Sequence, residues 1–381
     1  MAIEPFVPEY SAESVENLRD RILRNRWPDE VPGSSWDYGT DLNFLREVCD
    51  YWKSGFEWRN QIERFKVFPH FKTVINGQHI HFLRVRGKGR APIPLILTHG
   101  WPGSFIEFLR IIPLLTDPAG YGASEADSFD IIVPSLPGYG YSGKPGHGMN
   151  IFAVADLWAA LMAELGYERF AAQGGDNGAG VTTALGLRHP ERLIGIHLNF
   201  IPGSYRPFLP PGTDLTEEEK NELKQAALWV EQNGAYWHIQ RTTPLTPAYA
   251  LNDSPVGLAA WILEKFQKWS DCNGDPRNAL PIDEMLANIT LYWITETIYS
   301  SFRMYFENTT ASLALGKDDF IKVPCAVAHF PKEIFMLPRT WVERGYNLRR
   351  WTTMPRGGHF AAWEQPELLA EDLRAFFRAF R

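Results

Sequence analysis

The chain has little of what would direct it to several common functions. Among its 381 residues only three are cysteines, Cys49, Cys272 and Cys325, set far apart and without a Cys-x-x-Cys pair. That spacing excludes a disulfide framework and a cysteine zinc site, and it suits a reducing compartment. Basic charge is also short, with Lys+Arg 38 against Asp+Glu 45 and a formal net charge of -7. No basic stripe is left over to neutralise phosphates, so no nucleic-acid partner is expected. No uninterrupted apolar run approaches the ~20 residues needed to cross a bilayer, and no membrane span is expected. Residues 1–8 carry neither the basic nor the apolar region of an export signal, so the expected location is soluble and cytoplasmic. Asn288-Ile289-Thr290 and Asn308-Thr309-Thr310 match the glycosylation sequon, but without an export signal they read as chance matches. What remains is an ordinary globular composition, rich in Trp and Phe, long enough for a large α/β fold with additions.

Ser11 caps a first helix whose Val15, Leu18 and Ile22 share a face, and a second amphipathic helix is expected over 42–51. Residues 71–75 and 79–83 flank Asn76-Gly77, a strong hairpin signal. His79 and His81 fall on one face of that hairpin, as a metal pair would, but no third ligand is in view and packing or solvent-facing roles fit them better. After the linker at 87–90 the texture changes. Apolar strands at 93–97, 129–133, 170–173 and 193–200 alternate with helices at 104–115, 152–165 and 181–188. Such alternation means a mostly parallel sheet covered on both faces. From Pro202 the pattern becomes Pro-rich and then helical, at 215–232, 256–269 and 282–306. Strands resume at 323–330 and 348–354, and a helix over 365–380 closes the chain. The expected organisation is a helical and hairpin arm (1–90), a first α/β segment (91–201), a helical cap (202–319) and a second α/β segment (320–381).

The chemistry centres on Gly174-Gly175-Asp176-Asn177-Gly178, which joins a strand to a helix. Glycines two positions either side of Asp176 have the spacing of a nucleophile elbow, a turn so tight that bulky neighbours clash. Serine is the usual occupant, and no Gly-x-Ser-x-Gly occurs anywhere in the chain. A carboxylate there implies attack on an sp³ carbon and an alkyl-ester intermediate. The same residues would also suit a plain turn, so the surrounding motifs decide. His99-Gly100-Trp101-Pro102 follows the first apolar strand, where an α/β-hydrolase layout places an oxyanion-hole loop. The donors would be the backbone N–H groups of Trp101 and Asn177. Gly357-Gly358-His359 lies between the last strand and the last helix, the place of the base. Glu333 follows the strand before it, the place of the acid, with Asp318 and Asp319 as weaker candidates ahead of that strand. Gly138 to Lys144 fits a Walker A stretch until Pro145 replaces its Ser or Thr, and Pro145-Gly146 bars a helix start, so a structural turn is expected.

Together these motifs resemble the microsomal-type epoxide hydrolases over essentially the whole chain. The shared stretches are His99-Gly-Trp-Pro, the Asp176 elbow, the run from Leu251 to Phe266, Phe330-Pro-Lys-Glu333 and the run from Gly357 to Pro366. The resemblance implies an α/β-hydrolase domain with a helical cap and an N-terminal arm. It implies hydrolysis of a small apolar epoxide to a vicinal diol with neither metal nor cofactor, and it leaves a homodimer open. The family's two ring-opening tyrosines correspond to Tyr236 and Tyr305. One departure stands out, because the family usually has Trp after the nucleophile and this chain has Asn177. A haloalkane dehalogenase or a silent receptor on the same fold would be the alternatives.

Overall fold

The computed structural model describes residues 2–381; Met1, which opens the stretch read for an export signal, lies outside the described residues. Nine strands form one sheet: β1 (Glu4–Phe6), β2 (His70–Ile75), β3 (Gln78–Val85), β4 (Ile93–Thr98), β5 (Phe129–Pro134), β6 (Phe170–Gly174), β7 (Leu193–Leu198), β8 (Ile321–His329) and β9 (Tyr346–Thr353). Their spatial order is β1-β2-β3-β5-β4-β6-β7-β8-β9. From β5 to β9 neighbours run parallel, while β1, β2 and β3 add an antiparallel edge onto β5. Asn76 and Gly77 both take positive φ, 50° and 81°, which gives the hairpin between β2 and β3 the twist its strands need. All six residues of β5 are buried, as expected of a strand covered on both faces.

Six helices lie between β7 and β8: Glu217–Asn233, Ala235–Thr242, Leu245–Leu251, Pro255–Trp269, Ile282–Thr295 and Ile298–Glu307. The last two were read from sequence as one helix over 282–306. They part at Glu296, which sits in the left-handed region at φ 52° and ends the first of them. Nothing in the composition of Thr295-Glu296-Thr297 announces that break. Asn288, read as part of a sequon, is fully buried on Ile282–Thr295 and bonds Pro102 O and Ser104 Oγ at 2.8 Å each. Tyr292, one turn on, donates to Gly103 O at 2.9 Å. The cap thus pins the loop after β4. The glycine-rich stretch after β5 closes on itself, with Gly138 N–H on Gly143 O at 2.9 Å, and packs under the cap through Ser300 Oγ on Gly138 O at 2.6 Å.

The N-terminal helices clamp the cap from outside. Trp52 Nε1 donates to Thr290 Oγ1 in the interior at 2.9 Å, Tyr51 bonds Asp283, and Arg21 pairs with Asp253. Glu284 is a buried hub. It takes Arg64 at 2.7 Å, Arg110 at 3.1 Å and the Trp363 indole N–H, so arm, core and cap meet on one carboxylate.

Among the described residues, the hairpin histidines gather no metal ligands around them. His79 is exposed while His81 is fully buried, and no group of three or more His, Cys, Asp or Glu among the described residues could hold a metal. The Phe65 carbonyl can only accept, which fixes the proton on His70 Nε2 at 2.9 Å and leaves His70 Nδ1 to accept from His81 Nε2 at 2.8 Å. The Ser135 hydroxyl then donates to His81 Nδ1 at 2.9 Å. Burial disfavours the charged ring and lowers the His70 pKa to about 4 despite the Phe65 carbonyl, and His81 falls well below its usual value for the same cause. Both are neutral in the fold but charge below pH ~6.5 when unfolded, so the folded state binds fewer protons and loses stability as pH falls from ~6.5 towards ~4. For His70 the loss is on the order of 3 kcal/mol, and His81 adds to it in the same direction. Urea midpoints should drop over that window and drop less in His70→Gln; an equal drop in both proteins would remove the pair as its source.

Candidate active site

β4 and β6 are parallel neighbours that end together, Thr98 opposite Gly174, so the loops leaving them face each other at the C-terminal edge of the sheet. Asp176 opens the helix Asp176–Arg188 with φ 47°, a conformation a non-glycine residue holds only under constraint. Glycine permits it. A Cβ on Gly174 would collide with Gly178 O, one on Gly178 with Thr98 O, and one on Gly100 with Asp176 itself. The Trp101 N–H donates to Asp176 Oδ1 at 2.8 Å. Asn177 follows in the first turn of the helix.

Glu333 stands in the loop after β8 and His359 in the loop after β9. His359 Nδ1 meets Glu333 Oε1 at 2.5 Å, and His359 Nε2 lies 3.4 Å from Asp176 Oδ2 without a hydrogen-bond partner. Both side chains are almost wholly buried, at 2% and 1% exposure. Asp318 and Asp319 lie on an exposed turn ahead of β8, away from this group. The His359 backbone N–H is anchored on Trp269 O at 2.9 Å. Glu364 accepts from the N–H groups of Asp271 (2.8 Å), Gly358 (3.0 Å) and Phe360 (2.9 Å) and so sets the shape of the histidine loop. Burial raises the Glu364 pKa to about 7 against the pull of those donors. Burial also opposes charge on His359, but the Glu333 and Asp176 carboxylates outweigh it and hold the imidazole pKa well above its ordinary value.

Two cap helices bring Tyr236 and Tyr305 over the elbow. Tyr236 stacks on Trp101 at 5.4 Å and 11°, Tyr305 meets the same indole edge-on at 6.1 Å and 90°, and their own ring centroids are 6.3 Å apart. Burial first and the Asp176 charge second push both phenols well above their usual pKa, so both are neutral donors. Lys265 lies over the other side of Tyr236, 4.6 Å from its centroid. A cavity of about 840 Å³ opens between cap and elbow, reached by Asp176, Asn177, Tyr236 and Tyr305 and walled by Phe200, Trp229, Phe335 and Trp341. Asn177 faces it beside Tyr305, with its side-chain amide turned toward that phenol.

The seven residues singled out from sequence therefore share one location. What sequence did not flag is their support: Glu364, Asn288, the Trp269 carbonyl and Lys265. Glu364 lies in one of the quoted motifs, but a glutamate at a helix start reads as an ordinary first-turn charge.

Known proteins give the same outline. Residues 3–108 match the family model described as epoxide hydrolase N terminus, and residues 93–281 match that of the alpha/beta hydrolase fold. The chain is 40% identical to epoxide hydrolase 1 of Sus scrofa over 401 residues, covering 98% of this chain and 88% of that one. Among solved structures, juvenile hormone epoxide hydrolase from Bombyx mori superposes with TM-score 0.88 at 32% identity, covering 100% of this chain and 95% of that one. The epoxide hydrolase of Aspergillus niger follows with TM-score 0.87 at 31% identity, covering 100% and 97%. No helix among the described residues is long and apolar enough to cross a membrane.

Proposed function

The chain belongs to the epoxide hydrolase family, and from that premise we propose that Asp176, His359, Glu333, Tyr236 and Tyr305 carry its conversion of epoxides and water to vicinal diols. The observation that carries the assignment is the Asp176 carboxylate itself. One oxygen is held by the Trp101 N–H and the other faces both His359 and the cavity under the two phenols.

Oδ1 already occupies a backbone donor, so Oδ2 is the attacking oxygen. It bonds to the less hindered epoxide carbon as that carbon's C–O bond breaks. Tyr236 and Tyr305 donate to the ring oxygen as charge builds there and supply its proton. The ester leaves Asp176 without its negative charge. One of the two carboxylates that held His359 protonated is thereby lost, so the imidazole gives up its proton, which restores the tyrosine that protonated the ring oxygen, and becomes a free base at the moment one is needed. His359, oriented by Glu333, takes a proton from water, and the water oxygen attacks the ester carbonyl carbon. The resulting oxyanion is held by the N–H groups of Trp101 and Asn177. The intermediate collapses as His359 returns that proton to the departing diol oxygen, and the proton freed as Asp176 returns to carboxylate restores the one His359 held at rest.

The aromatic walls of the cavity fit a small apolar epoxide. Asn177, where the family usually has Trp, replaces a large pocket wall with a polar amide beside one phenol. Three buried free cysteines fit a reducing cytoplasm.

A single turnover in ¹⁸O-water with enzyme in excess should place the label in the Asp176 carboxylate and leave the first diol unlabelled. Label appearing in that first diol would mean direct attack by water and would remove Asp176 as nucleophile.

A further inference from the structure

Glu107 has no task in that reading, yet it sits at the reacting centre. It lies in the short turn Phe105–Phe108 that follows the loop after β4, and its side chain folds back over that loop. A Cβ on Gly103 would coincide with Glu107 Oε1, so glycine at 103 is what admits the carboxyl group. A second, small cavity of about 20 Å³ lies there, lined by Glu107, Asp176 and His359 with Gly100, Trp101 and Asn199. That is room for one water, which needs roughly 10–15 Å³ and two to four polar partners. His359 Nε2 supplies an unpartnered buried atom at the same place. No cation pairs with Glu107 among the described residues. Burial lifts its pKa to about 8, helped by Asp176 and opposed by His359, so at neutral pH its carboxyl group offers an O–H and a carbonyl oxygen together.

We propose that Glu107 is a positioning residue for the second half-reaction, holding the attacking water in this cavity with one O–H toward its own carboxyl oxygen and the other toward His359 Nε2. The inference rests on the two-step reading above. In the step itself the water oxygen bonds to the Asp176 carbonyl carbon and one proton passes to His359. The second proton stays on the new hydroxyl, directed at Glu107, and no proton is transferred to Glu107. The residue fixes the line of attack. It acts only after the ester exists, so ring opening should be indifferent to it.

The experiment is a rapid-quench comparison of wild type, Glu107→Leu, Glu107→Asp and Glu107→Gln with styrene oxide, following ester and diol separately. Glu107→Leu should form ester at the wild-type rate but hydrolyse it on the order of tenfold to a hundredfold more slowly, the cost of losing a near-attack geometry. Its kcat and KM should fall together with kcat/KM unchanged, a split that damage to the fold would not produce. Glu107→Asp, which shortens the reach by one methylene, should show the same split to a smaller degree. Glu107→Gln keeps a donor and an acceptor and should restore hydrolysis to within a few-fold. Wild-type ester hydrolysis in Glu107→Leu, or an equal loss of kcat and kcat/KM in both Leu and Asp variants, would overturn the role. His359→Gln is the control. If it accumulates ester while Glu107→Leu does not, the Glu107 inference alone fails; if it accumulates none, the two-step reading fails with it.

Discussion

Replacing His359 by Gln is expected to give an enzyme that consumes one equivalent of epoxide per active site and then stops. In the proposed reaction, ring opening needs the Asp176 oxygen and the two phenols, none of which depends on the imidazole. The charged ring of the resting state in fact neutralises the nucleophile, so removing it should leave alkylation at least as fast. Hydrolysis is different, because glutamine cannot accept a proton from water. Loss of a positioned general base costs roughly 10²–10⁴-fold, and all of it should fall on diol release. Intact-protein mass spectrometry should show a stable adduct of one substrate mass, mapping to the peptide that contains Asp176. Steady diol formation by His359→Gln at the wild-type rate would assign the base elsewhere.

Removing both cap hydroxyls should be nearly as severe and should fall on the other step. The alkoxide leaving an opened epoxide is strongly basic, and the structure aims two neutral, buried phenols at the space above Asp176. Losing one donor directed at developing charge costs on the order of 2.7–4 kcal/mol, so Tyr236→Phe and Tyr305→Phe should each slow alkylation by roughly a hundredfold or more. Phenylalanine is a clean probe here, since each ring keeps its contact with Trp101 and the cavity wall is unchanged. The double variant should be folded, should still bind a diol or amide product mimic, and should form almost no ester. A double variant that opens epoxides at the wild-type rate would take the tyrosines out of the reaction.

Some of this was legible in the sequence because sterics left no alternative. The elbow is readable since only glycine survives at 174 and 178 against the backbone of Gly178 and Thr98. The strand series is readable since a strand buried on both faces must be mostly apolar, as β5 is apart from Asp130, whose carboxylate pairs with Arg86. The hairpin is readable from Asn76-Gly77, but its attachment to β5 is not, because that pairing joins residues some fifty positions apart with no local signature. The helix Ala235–Thr242, which carries Tyr236, was missed. All its residues but Ala235 and Ile239 are aromatic or polar, and its first turn lacks a side-chain cap. Glu107 was invisible for a different reason, since its role depends on a side chain doubling back over Gly103, which no periodicity encodes. Asn288 is buried, in keeping with the reading of its sequon as a chance match, but its part in holding the loop after β4 depends on the rest of the fold and has no local signature.

The clamp between arm and cap has a consequence for how this architecture can change. The side of the cap built on Pro255–Trp269 and Ile282–Thr295 is tied to the N-terminal helices through Trp52, Tyr51 and Glu284, and the same helices hold Pro102, Gly103 and the His359 backbone. The opposite side, Glu217–Asn233, buries only Glu219 yet contributes Leu223, Trp229 and Val230 to the cavity. Mutations there can reshape the chamber without touching a residue that aligns the nucleophile, the base or the oxyanion donors. Selectivity and rate are thus written on separate walls, and a lineage can drift in one while the other stays under constraint.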